Sequence, residues 1–217
     1  PCRREGAVWP PHRSSWGPCG GCGCPERQVK GDMSSMEQCD TVRSLRASVP
    51  VAEYVARCVD VEKFLVYCRE CDNYARRWSC PPFSFAPLEL WHRYQSVELF
   101  ARILMVSPGA ELPDMMEDMR REKARLMEEL LCLEKARPGS LALSAGGCSL
   151  CGDSCSRPDG APCRNPAQMR YSIDALGGDI SKTMELYFQT PILWVKDGKL
   201  PEYLTLVGGL LLGEAAP

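Results

Sequence analysis

Cys148-Ser149-Leu150-Cys151-Gly152-Asp153-Ser154-Cys155-Ser156-Arg157-Pro158-Asp159-Gly160-Ala161-Pro162-Cys163-Arg164-Asn165-Pro166 is the stretch on which the reading of this chain turns. Its four cysteines are spaced x2, x3 and x7 and are interleaved with glycine and proline. Such a segment has no apolar face to bury, so something other than hydrophobic collapse must fold it. Thiolates converging on a metal can do so, because ligation supplies folding free energy directly. Gly and Pro suit the tight turns and unusual φ angles of a loop wrapped round an ion or cluster. Close cysteine spacing in a chain with no secretion signal favours metal over the alternative of disulfides or free thiols.

A second group lies upstream: Cys68-Arg69-Glu70-Cys71, then Trp78-Ser79-Cys80-Pro81-Pro82-Phe83, with spacings x2 and x8. Cys-x2-Cys lets two sulfurs reach one metal from one turn, and Cys-Pro also ends the cysteine runs of bacterial ferredoxins. Tyr74, Trp78 and Phe83 are placed either to shield such a site from water or to pack under a loop.

Composition sets the outer limits. A chain of 217 residues with 45% hydrophobic content can build one ordinary core. A net charge of −2 gives no electrostatic argument for nucleic acid or an anionic membrane. Fourteen cysteines beside long helical patterns do not suit a small secreted disulfide scaffold. The N-terminus lacks the continuous apolar run of a signal peptide. The longest apolar stretch, Tyr203 to Leu212, falls short of the roughly twenty residues that a membrane span needs. A cytoplasmic protein with no membrane and no nucleic-acid partner is expected.

Residues 1–32 lack periodicity and are crowded with Pro, Gly, Arg, Trp and Cys, so they read as a disordered or non-native extension. Met33 or Met36 then stands at the expected start, and 33–217 forms one cysteine-rich metal-binding domain. Cys19, Cys22 and Cys24 offer only three clustered sulfurs.

Along the domain, Ser48 is expected to cap a helix with Pro50 in its first turn, and Val51, Val55 and Cys58 on one face. Cys58 reads as a small buried residue. Asp60 to Tyr67 suggests a short strand or turn, Pro87 to Tyr94 a helix, and Val97 to Val106 a strand. Leu112 to Ala136 is the longest helix, opened by Pro113 and stopped by Pro138-Gly139. Met115, Met119, Leu126, Leu130 and Leu133 form its core stripe, and Cys132 is structural. Leu141 to Ser144 reads as a strand, Met169 to Leu176 as helical, and Ile180 to Phe188 as a helix capped by Asp179. Leu193 to Lys196 and Tyr203 to Leu211 read as closing strands. The expected fold is α/β, a mixed α+β sandwich with two cysteine-rich metal-binding loops at strand ends.

The residues from Asp60 through Cys68-x2-Cys71, Asn73-Tyr74 and Trp78-Ser79-Cys80-Pro81-Pro82-Phe83 resemble a family of predicted metal-binding proteins of anaerobic bacteria and archaea, a domain of unknown function. So do Gly147-Cys148-Ser149-Leu150-Cys151, Pro162-Cys163-Arg164 and Met169-Arg170-Tyr171-Ser172-Ile173-Asp174-Ala175-Leu176-Gly177. The similarity spans roughly Pro50 to Leu212. It implies metal binding as iron–sulfur and brings no settled reaction. Where the family pattern suggests glycine after Asn73-Tyr74, this chain has Ala75, which questions a tight backbone approach there.

Only His12 and His92 exist, so ligation should be all thiolate: Cys68, Cys71, Cys80, Cys148, Cys151, Cys155 and Cys163. Four thiolates suit zinc or iron–sulfur by softness. The stretched x7 and x8 spacings and the Cys-Pro step favour a 4Fe-4S cubane over zinc. Seven ligands make one complete site and one three-thiolate site, or two that share ligands; Cys58 is the nearest eighth in sequence. Two functions follow. One is an electron-transfer module serving a redox partner protein, the other a zinc-stabilised structural or binding module. Enzymatic use of an open iron is weaker, because no acid–base pair stands out. Gly177-Gly178 and Gly208-Gly209 lack the spacing of a nucleotide loop.

Overall fold

Strand β1 (Val42–Pro50) runs directly into helix α1 (Val51–Cys58), and helix α2 (Val61–Arg69) follows after Asp60, whose carboxylate accepts from the Lys63 N–H. Next come α3 (Pro87–Trp91), β2 (Ser96–Met105), α4 (Leu112–Ala136) and β3 (Leu141–Leu143). A 3-10 turn (Asp174–Leu176), α5 (Ile180–Phe188) and β4 (Tyr203–Leu212) complete the chain. This computed structural model describes residues 42–213, so the reading of residues 1–32, with Cys19, Cys22 and Cys24, lies outside the described residues, as do Met33 and Met36.

The four strands form one antiparallel sheet in the order β1-β2-β4-β3. Alternation along β2 divides the core into two layers. Val97, Leu99, Ala101 and Ile103 face α1, α3 and α5, while Phe100 and Leu104 face α4. The α4 stripe behaves as its spacing dictates, with Met115, Leu126 and Leu130 buried and Met119 and Leu133 packed at the margin. Each fully buried leucine contributes about 2 kcal/mol of transfer free energy. At Gly208 a Cβ would stand 2.9 Å from Leu130 Cδ1 and 3.0 Å from the Leu143 carbonyl. Gly208 therefore lets α4 lie close on β4, which is what the glycine pair serves in place of a nucleotide. Arg102 on β2 adds a polar strap to α4 through Glu122 and Glu129.

The α+β character, α4, α5 and β4 follow the sequence reading. Other elements differ. Residues 42–50 form a strand, and Ser48 lies within it, so no side chain caps α1. As an edge strand bearing Arg43 and Arg46 on exposed positions, β1 hides its pattern behind charges that discourage further pairing. Asp60 to Tyr67 is helical because Asp60 caps it. Only Asp174–Leu176 of the 169–176 segment is helical, and Leu193 to Lys196 forms no strand beyond an isolated Lys196–Lys199 bridge. Among the described residues no helix is long and apolar enough to cross a membrane.

Candidate metal centre

The two cysteine segments leave different elements and meet at one end of the molecule. The first follows α2 and turns back on itself, with the Ala75 N–H donating to the Pro81 carbonyl at 2.8 Å. Ala75 adopts φ 56° to make that turn, the left-handed conformation that favours glycine. The tight approach is thus made, with alanine bearing it. The second segment leaves β3 and is pinched at its base, where the Ser144 N–H donates to the Tyr171 carbonyl at 2.8 Å. Residues 145–170 are thereby a closed loop with little apolar content of its own.

Polar contacts zip the loops together. Arg157, from the second loop, donates to the carbonyls of Arg77, Cys80 and Pro82 in the first, and its guanidinium lies 5.4 Å over the Trp78 ring. In return Arg77 donates to the Gly152 carbonyl, and the Trp78 indole N–H donates to the Ala161 carbonyl at 3.2 Å. The Cys148 N–H donates to Ser79 Oγ at 3.0 Å. Beneath them Phe83, Phe85 and Tyr171 pack ring against ring at 5.0–5.2 Å between centroids. Phe83 belongs to this floor, whereas Trp78 stands in the wall described next.

Cys148, Cys151, Cys155 and Cys163 all line one narrow pocket. Trp78, Leu150 and Met169 supply its apolar walls, and Arg77 and Asn165 its polar groups. Asn165 donates from Nδ2 to Cys151 Sγ at 3.1 Å. No cysteine among the described residues is in a disulfide. Among these residues, no three Cys, His, Asp or Glu side chains are gathered closely enough to hold a single metal ion.

Burial pushes the Cys148 thiol up, and its neighbours Cys163 and Cys151 push the same way. Lys123, on α4, donates to the Gly147 carbonyl; burial lowers its pKa, partly offset by Cys148, Asp174 and Cys80. The first cysteine group stands alongside. Cys68, pushed up to about 11 by burial and then by Asp174, also feels Cys80 and Cys71. Burial likewise raises Cys80, whose sulfur lies 3.6 Å from Ser79 Oγ. Cys71 is exposed. Cys58 is elsewhere: it is 2% exposed in the core beside Tyr54 and Met184. Cys132 is half-buried on α4.

A family model described as predicted metal-binding protein (DUF2284) matches residues 55–212, the span that carries both loops. The chain belongs to this family. No curated protein and no solved structure matches it. The DUF2284 match covers all seven cysteines named from the sequence, together with several side chains that spacing did not single out. Arg77, Lys123, Arg157 and Asp174 come to the cysteine segments through the meeting of the two loops, α4 and the 3-10 turn, while Asn165 reaches Cys151 within its own loop. Nothing in the linear order pairs Arg157 with a cysteine segment 77 positions earlier.

Proposed function

We propose that Cys148, Cys151, Cys155 and Cys163 hold a 4Fe-4S cluster, and that the protein is an electron-transfer module for a partner redox protein. The observation that carries this is the single pocket lined by four thiols with no imidazole or carboxylate among its lining. Thiolate-only ligation suits iron–sulfur or zinc. Sulfurs ligating one cubane lie about 6–7 Å apart and those on one zinc ion about 4 Å apart, and the stretched x7 and x8 spacings with the Cys-Pro step favour the cluster. When bound, the cluster supplies one-electron redox chemistry. The chain's own residues do the rest. Trp78, Leu150 and Met169 keep water from the sulfurs. Asn165 donates a hydrogen bond to Cys151 Sγ, which stabilises the more negative, reduced state. Arg77 adds positive charge in the same sense.

Anaerobically purified protein tests the reading by its absorption spectrum and its iron, sulfide and zinc content. A brown protein with acid-labile sulfide, reduced reversibly by one electron per cluster, is expected. A colourless protein with stoichiometric zinc would instead make the centre a structural module.

A further inference from the structure

Cys68, Cys71 and Cys80 offer three sulfurs, and the nearest fourth in sequence is Cys58. The turn that carries Cys68 and Cys71 is closed by the Cys71 N–H donating to the Cys68 carbonyl at 3.1 Å. Cys80 returns beside it and is 8% exposed. Cys58 does not serve as the fourth, since it lies in the hydrophobic core between the sheet and α5.

A different donor stands next to the trio. The 3-10 turn Asp174–Leu176 is clamped on α2: the Asp60 N–H donates to the Gly177 carbonyl at 2.8 Å, and a Cβ on Gly177 would lie 2.7 Å from Val61 Cα. Val61, Leu65 and Cys68 fall at i, i+4 and i+7, so the helix face that meets this turn is the face that carries Cys68. Asp174 opens the turn, and its Oδ1 is buried with no hydrogen-bond partner. A buried carboxylate oxygen left alone costs about 1–3 kcal/mol or more, and such an atom calls for an explanation. The Asp174 charge bears on Cys68 and Cys80 more strongly than any other charged neighbour does. Asp174 is thus within electrostatic reach of both sulfurs.

Building on the metal-binding reading above, we propose that Asp174 is the fourth ligand of a second iron–sulfur cluster whose thiolates are Cys68, Cys71 and Cys80. The carboxylate oxygen is a harder, weaker donor to iron than a thiolate. The iron at that corner is accordingly the one most readily released or exchanged, and the second cluster differs from the first in lability and electronic signature.

The experiment compares iron per chain and the electron paramagnetic resonance spectrum of the dithionite-reduced protein in wild type and in Asp174→Asn, Asp174→Cys and Cys148→Ser. Wild type should hold about eight irons, two cubanes of four each. Asp174→Asn, isosteric and neutral, should fall to about half that iron and lose one of two signals while keeping its thermal midpoint, whereas Asp174→Cys should retain the iron with a shifted signal. Cys148→Ser should lose the other signal. Full iron and an unchanged spectrum in both Asp174 variants would overturn the proposal and leave Asp174 as a distant counter-charge to Lys123. Wild type holding one cluster, lost in Cys148→Ser and untouched in Asp174→Asn, would overturn it while sparing the four-cysteine site. Wild type without iron would overturn both.

Discussion

Arg157 donates its guanidinium hydrogen bonds to the backbone carbonyl of Cys80, so a side chain from within one cysteine loop holds the main chain of the other. The same guanidinium reaches the Arg77 and Pro82 carbonyls, a three-point grip that needs a planar, multi-donor cation. Arg157→Lys keeps the charge but not the fork. It should cost about 1.5–3 kcal/mol of loop stability, and Arg157→Ala at least as much, because carbonyls lose charge-assisted partners. Both variants should surrender metal to a chelator sooner than wild type; equal release rates would show that the grip is incidental.

Single Cys→Ser changes separate ligands from bystanders. A serine hydroxyl stays protonated near neutral pH and is a poor donor to soft metal, so Cys148, Cys151, Cys155 and Cys163 variants should lose the metal of that pocket. Cys58→Ser and Cys132→Ser should keep all metal. Cys58→Ser buries a hydroxyl in the core and should cost about 1–3 kcal/mol. Metal analysis beside thermal melts reads both effects.

Asn165→Ala removes the donor to Cys151 Sγ. Without it the reduced, more negative cluster loses a stabilising contact, so the midpoint potential should fall on the order of tens of millivolts. Redox titration followed by visible absorption measures the shift, and a rise in potential would contradict the assigned role.

Ala75→Gly should stabilise the protein, which is unusual for a change to glycine. An L-residue at left-handed φ costs about 1–2 kcal/mol, and glycine's greater unfolded-state entropy takes back part of the relief, so a net gain of about 0.5–1 kcal/mol is expected. Urea denaturation resolves a change of that size.

Much of the fold was open to reading because the signals are local. Pro113 and Pro138-Gly139 bracket α4, Asp179 caps α5, and the apolar run of β4 is a buried central strand. Residues 42–50 escaped because a charged edge strand carries little alternation, and 61–69 because one capping aspartate outweighed a β-rich segment. The cysteines announce themselves by spacing alone. What surrounds them does not: Arg157, Lys123 and Asp174 reach the site through tertiary packing, which leaves no periodic trace. The glycine expected at position 75 was legible, and the left-handed backbone at Ala75 gives its physical cause.

Alkaline pH should destabilise the protein through the buried Tyr54 phenol and, to a lesser degree, the half-buried Tyr187. Burial holds the Tyr54 pKa far above its ordinary value, and Tyr187 is pushed up to about 12, also by burial. Below about pH 10 both folded and unfolded chains keep these groups neutral and stability is intact. Above it the unfolded chain sheds the Tyr54 proton while the folded one retains it, so stability falls by up to about 1.4 kcal/mol per pH unit from this group. Thr183 Oγ1 already donates to the Asp179 carbonyl, which makes Tyr54 the donor in their 2.8 Å bond. Tyr54→Phe should therefore cost about 1 kcal/mol at neutral pH and flatten the alkaline decline, with Tyr187 leaving a residual slope. Denaturation midpoints from pH 8 to 11 test this.

The two apolar layers around the sheet contain none of the seven cysteines of the loops. Stripping metal would then release residues 68–82 and 145–170 as separate opening units while β1, β2, β4 and α4 stay folded. Far-ultraviolet circular dichroism, dominated by those helices and strands, would be nearly blind to the loss. Amide exchange and limited proteolysis would see it at once, with exchange fastest and cleavage confined to those two loops. A preparation judged sound by its helix content alone could thus be empty of metal.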